Sequence, residues 1–181
     1  MSKLYLQRHT RPDIDTSICY GASDIPLAES FEGVDLPKVL ARYDQINCPR
    51  IYTSPLRRCS ELASRIAQLM DGATVIVDPR VMETNFGDWE LVAWDDIFKC
   101  DEGKEWFGDY LHCRPPHGES FQDLRARARD FRDSMLSEAK DAIVVSHCGF
   151  IMALLVECGE CSEEEVFGRR VEYGEMLEIE I

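Results

Sequence analysis

Leu4-Tyr5-Leu6-Gln7-Arg8-His9-Thr10 decides the fold, because a short apolar strand here runs straight into a cation and an imidazole. Far downstream, Ala142-Ile143-Val144-Val145-Ser146-His147 repeats the arrangement, so two histidines each end a strand of buried type. Open α/β sheets bind ligands outside the carboxyl ends of their parallel strands. If these two strands are parallel neighbours, both imidazoles meet in one crevice with Arg8 beside them.

Strand-like runs at 4–7, 50–53, 74–77 and 142–146 alternate with helical patterns. This alternation predicts an α/β fold, a three-layer sandwich with a mostly parallel sheet flanked by helices. After Pro55, Leu62, Ile66, Leu69 and Met70 recur at helical spacing, and Gly72 follows as a stop signal. Ser120 and Asp123 form a capping-box-like start to a helix that keeps Phe121, Leu124, Ala128, Phe131 and Met135 on one face; its arginines read as the solvated face. Residues 150–156 are apolar all round, as in a helix buried behind a sheet, and Ser162 with Glu165 suits the start of a short helix. Leu177, Ile179 and Ile181 alternate with glutamates, which predicts a half-exposed edge strand. At about 88–118 the pattern breaks down into Trp89, Trp94, Trp106, Gly, Pro and acidic residues, predicting short helices and a loop as an irregular cap over the crevice.

The 181 residues fit a single domain, 1–181, that buries roughly 70% of its unfolded surface. A net charge of -14 argues against nucleic acid and against anionic membranes, so an anion site has to be a local cluster of arginines. No apolar run reaches the roughly 18 residues a membrane helix needs, and the N-terminus lacks a signal-peptide pattern. The expected location is cytoplasmic, with the eight cysteines as reduced thiols.

Five motifs occur in order: Arg8-His9-Thr10, Thr53-Ser54-Pro55-Leu56-Arg57-Arg58, Glu83-Thr84-Asn85-Phe86-Gly87-Asp88-Trp89-Glu90, Pro116-His117-Gly118-Glu119-Ser120 and Ser146-His147-Cys148-Gly149. Together they resemble the histidine phosphatase superfamily, with its phosphoglycerate-mutase-like fold, over nearly the whole chain. Cys19-Tyr20-Gly21 followed by Ser23-Asp24-Ile25-Pro26-Leu27 is most similar to the α-ribazole phosphatase branch of cobalamin synthesis. The resemblance implies that His9 is the nucleophile that becomes phosphorylated, that Arg8, Arg58 and His147 complete the phosphate pocket, and that Glu83 is the general acid. Arg58, not Arg57, takes the second basic position of its motif. Thr10, Tyr20 and Gly21 are the expected substrate contacts, and Tyr20 or Trp89 is expected to meet a flat base.

The implied function is a phosphomonoesterase working through phosphohistidine on α-ribazole 5'-phosphate or a related cobalamin precursor. Its partner is a phosphorylated small molecule, with no nucleic acid, no membrane, no cofactor and no metal, and the chain is a monomer or homodimer. The rival readings are another small-molecule phosphatase, a protein-phosphohistidine phosphatase, a phosphoglycerate mutase and, from a different class, a non-catalytic phosphate-ligand binding protein. The residue chemistry agrees with the first: phosphoryl transfer spreads charge over equatorial oxygens, so fixed cations supply much of the rate.

Thr10, Cys148 and Met152 depart from the usual family pattern, standing where glycine, glycine and a basic residue are common. A Cys148 thiolate nucleophile would want an arginine six residues on, and Leu154 stands there. Cys158-Gly159-Glu160-Cys161 is an isolated pair expected at a helix end, and Cys100, His112, Cys113 and His117 match no strong metal-ligand spacing.

Overall fold

The computed structural model of the chain describes residues 2–181. Its sheet has five strands, β1 (Lys3–Arg8), β2 (Arg50–Thr53), β3 (Thr74–Val77), β4 (Ala142–Ser146) and β5 (Met176–Glu180), in the order β3-β2-β4-β1-β5. The first four run parallel, and β5 joins β1 antiparallel at the edge, as the C-terminal alternation predicts. Register pairs Arg8 with Ser146, so His9 and His147 are the next residues on adjacent parallel strands. The His9 amide donates to the Ser146 carbonyl at 3.0 Å and locks this juxtaposition.

Successive strand residues face opposite layers. Ala142 and Val144, with Leu4 and Leu6, share one core with residues of α5 (Phe121–Glu138) and α6 (Cys148–Glu157). Ile143 and Val145, with Ile51, share the other with α1 (Leu36–Leu40) and α2 (Arg57–Ala67). β4 is buried at every position, which is why it reads as an unbroken apolar run. The result is a three-layer α/β sandwich with the two histidines at one edge of its central strands.

Two readings of the helices are corrected. α2 ends at Ala67, because the amides of Leu69 and Met70 bond three residues back, to Ile66 and Ala67; this tighter turn leaves Leu69 exposed while Met70 stays buried. The arginines of α5 are not simply a solvated face. Arg125 and Arg129 each lie 2.8 Å from the buried carboxylate of Glu157 at the end of α6, and Arg132 bonds its carbonyl. Burial alone would raise the Glu157 pKa, but hydrogen bonds from Arg129 and Arg125 outweigh it and hold the carboxyl below its ordinary range. Both capping boxes are present, at Ser120 and at Ser162 before α7 (Glu163–Val166). Cys158 and Gly159 terminate α6.

Within 88–118 lie the short helices α3 (Trp94–Lys99) and α4 (Asp101–Gly108). Among the described residues no helix is long and apolar enough to cross a membrane.

Candidate active site

His9 is almost fully buried, and its Nδ1 lies 2.6 Å from the carbonyl oxygen of Thr10. A carbonyl only accepts, so Nδ1 carries the proton and Nε2 is left as the basic nitrogen. The ring of His147 stands edge-on at 5.1 Å, with its Nε2 2.9 Å from Ser54 Oγ. Burial first, and then the positive charge of Arg58, hold both imidazoles well below their ordinary pKa, with Arg8 adding to each. Both rings are therefore neutral at pH 7.

An imidazole whose folded pKa lies below its unfolded value lets the unfolded chain bind protons the folded chain refuses, so the stability it supports is complete above about pH 6.5 and is lost as pH falls below it. Urea denaturation at pH 7.5 and 5.5 should show a loss that shrinks in His147→Gln. An equal loss in both proteins would show that His147 is not held neutral by the fold.

The two arginines are held differently. Arg8 donates to the Val171 carbonyl and lies 3.9 Å over the ring of Tyr173. Arg58 is fully buried; its Nη1 donates to Ser23 O at 2.7 Å and its Nη2 to Gly21 O at 2.6 Å, while Nε has no partner. Arg57 turns outward to Glu61 at 3.2 Å. Arg58 also faces the ring of Tyr20 at 5.4 Å, and the Tyr20 and Tyr173 hydroxyls lie 2.6 Å apart. The two tyrosines thus form a clasp between the two cations. Tyr173 was not legible in the sequence, since it sits in a loop stretch with no motif or periodicity.

Glu83 follows β3 and a short 3₁₀ turn, Pro79–Val81. Its Oε1 accepts from the Thr84 amide at 3.0 Å and its Oε2 from the Gly149 amide, in the first turn of α6, at 3.1 Å. A Cβ at Gly149 would fall 2.3 Å from Glu83 Oε1, so only glycine allows this approach. Arg127 ties the segment to α5 through the carbonyls of Arg80, Met82 and Glu83 and the carboxylate of Glu119.

Arg8, His9, Tyr20 and Glu83 line a cavity of about 480 Å³. His147 and Arg58 stand behind its wall, so Arg58 acts on His9 as a buried charge rather than from the cavity surface. Two expected substrate contacts lie elsewhere. Gly21 packs so closely on the Thr84 carbonyl that a Cβ there would be 1.9 Å away, and its role is to present its own carbonyl to Arg58. Glu90 fastens this loop by accepting from the amides of Gly21, Ala22 and Ser23. Thr10 supplies its carbonyl to His9 and is itself 1% exposed, at the border of a second, smaller cavity.

Trp89 is also placed elsewhere: it is buried beside Cys19 and Ile97, away from the cavity wall. The wall is instead built by Phe86, Trp94, Trp106, Phe107 and Tyr110, joined to Phe167 and Phe121 by a run of edge-to-face contacts and one tilted contact, between Trp106 and Tyr110. Met152 lines it too, with Cys148 Sγ 3.6 Å from its sulfur. Burial pushes the Cys148 thiol up, which argues against a thiolate nucleophile. His112 pairs with Asp109 at 2.8 Å and His117 with Asp88 at 2.9 Å.

The family model of the histidine phosphatase superfamily (branch 1) matches residues 4–181. The chain belongs to this superfamily and is a phosphatase. The phosphatase is 27% identical to the adenosylcobalamin/alpha-ribazole phosphatase of Salmonella typhimurium over 183 residues, covering 95% of this chain and 87% of that one. It superposes on the alpha-ribazole phosphatase of Shigella flexneri with a TM-score of 0.84 at 25% identity, covering 99% and 90% of the two chains. With Bacillus stearothermophilus YhfR the TM-score is 0.86 at 25% identity, with 100% and 92% covered.

Proposed function

We propose that the phosphatase hydrolyses phosphate monoesters through a phosphoenzyme on His9, and that its substrate is α-ribazole 5'-phosphate or a related cobalamin precursor. The observation that carries the mechanism is the 2.6 Å contact of His9 Nδ1 with the Thr10 carbonyl, which leaves a neutral ring with Nε2 as its nucleophilic nitrogen. Nε2 attacks phosphorus, the ester P–O bond breaks, and Glu83 gives its proton to the departing oxygen. Glu83 then takes a proton from water as the water oxygen attacks phosphorus; the P–N bond breaks, phosphate leaves and His9 returns to its neutral form. Arg8 at the cavity and Arg58 behind it stabilise the charge on the equatorial oxygens. No metal ion enters this scheme. The cytoplasm, with its reduced thiols, is the proposed location.

The aromatic wall supports the substrate class. A flat, apolar base set against Trp94, Trp106 and Tyr110 gains stacking contacts of about 0.5–1.5 kcal/mol per aromatic pair beyond the area it buries. The kcat/KM for α-ribazole phosphate should exceed that for ribose 5-phosphate by about tenfold or more, the conversion of one to two such contacts. Tyr110→Ala should narrow the ratio, mainly through KM. Equal efficiencies in the native enzyme would remove this substrate and leave the phosphatase mechanism standing.

A further inference from the structure

The segment 171–175 is fastened to the strand end that carries His9. The Gly174 amide donates to the His9 carbonyl at 3.0 Å, the Arg8 amide donates to the Glu175 carbonyl at 2.8 Å, and the Val171 carbonyl accepts from the Arg8 guanidinium. Gly174 turns the chain at φ +71°, where a Cβ would also come within 3.1 Å of Val39. The Tyr173 ring is thereby held 5.6 Å from the ring of His9, on the wall of the phosphatase cavity. We propose that the Tyr173 hydroxyl is a hydrogen-bond donor to the phosphoryl oxygens of the substrate, oriented for that task by Tyr20. This role rests on His9 as the residue that takes the phosphoryl group.

A count of protons leads there. A phenol carries one O–H and can both donate and accept. The Tyr20 and Tyr173 oxygens lie 2.6 Å apart, so one proton occupies that contact and the other is left over. Among the described residues neither hydroxyl has a second hydrogen-bond partner. Both side chains line the same cavity, and the remaining O–H has that cavity to donate into. Burial and the bond to Tyr173 push the Tyr20 phenol up, so it keeps its proton at neutral pH.

The cations give the pair its direction. Arg58 faces Tyr20 from behind the wall, whereas Arg8 lies over Tyr173 at 3.9 Å and lines the cavity itself. A phosphoryl group drawn to Arg8 and His9 therefore meets Tyr173, and the Tyr20 O–H is committed to the Tyr173 oxygen. Accepting from Tyr20 makes the Tyr173 O–H the stronger donor, because chained hydrogen bonds polarise one another. A neutral donor suits this wall, where Arg8 is the one of the two pocket arginines that reaches the surface and Arg58 acts only as a charge at a distance.

Tyr173→Phe keeps the ring over Arg8 and removes only the hydroxyl. It should lower kcat/KM by roughly tenfold to hundredfold, the range of a hydrogen bond to a charged group, and by the same factor for ribose 5-phosphate and p-nitrophenyl phosphate, because the phosphoryl oxygens are common to both. Affinity for tungstate, an inert tetrahedral oxyanion, should fall with it. Tyr20→Phe should lose less, and the double variant should match Tyr173→Phe, as two hydroxyls acting in series require. In the native enzyme with tyrosines labelled with carbon-13 at Cζ, saturating tungstate should shift the Tyr173 signal, a readout that needs no variant to fold. His9→Ala should keep that shift, so failure of the phosphohistidine mechanism would be seen separately. A Tyr173→Phe enzyme within about twofold of native in tungstate affinity and kcat/KM, a Tyr173 signal unmoved at saturation, or losses that multiply in the double variant would each overturn the proposal.

Discussion

His9→Ala is expected to lose turnover by on the order of 10⁴-fold or more, the scale seen when a covalent nucleophile is removed from a site that otherwise still binds. Nothing else in the cavity can replace it. His147 is neutral but lies behind the wall, and the buried Cys148 thiol is pushed up in pKa. Substrate affinity should survive far better than rate, because the cavity wall and Arg8 remain. A variant that keeps more than a few per cent of native kcat would mean that water attacks directly, or that another group forms the intermediate.

Glu83→Gln is expected to separate ester types. Protonating the leaving oxygen matters most when it departs as a strongly basic alkoxide and little when it is a stable nitrophenolate. Phosphoenzyme formation should fall by roughly 100-fold or more with alkyl phosphates, the ordinary size of a general-acid contribution, and much less with p-nitrophenyl phosphate. The glutamine is not a silent replacement. Both carboxylate oxygens accept backbone amides, from Thr84 and Gly149, and an amide side chain can satisfy only one of them. That structural loss is common to all substrates, so single-turnover rates for the two ester types cancel it. Equal losses for both would assign Glu83 to holding α6 rather than to proton transfer.

The sequence carried the sheet because its central strands are buried on both faces, and such strands read as unbroken apolar runs whatever surrounds them. The pairing of His9 with His147 followed from two strand ends, and the register between β1 and β4 realises it. The helix after Pro55 was misjudged at its end, where periodicity continues through Leu69 although the hydrogen bonding tightens. The α5 arginines were misread for a different reason. Their partner Glu157 lies on another helix, and no local pattern announces a long-range ion pair. The rest of the aromatic wall around Trp94 and Trp106 is hidden in the same way, since its rings converge from segments as distant as Phe86 and Phe167. Arg58 was identified by its motif, but its position behind the cavity depends on the carbonyls of Gly21 and Ser23, which the sequence cannot place.

The most direct test is rapid acid-free quenching of the native enzyme during turnover of a phosphate-labelled ester, with the labelled atom mapped within the protein. The account predicts a stoichiometric, base-stable and acid-labile label on Nε2 of His9, formed and discharged at rates that match kcat. A label on Cys148, or steady turnover with no label above background at any time, would contradict it.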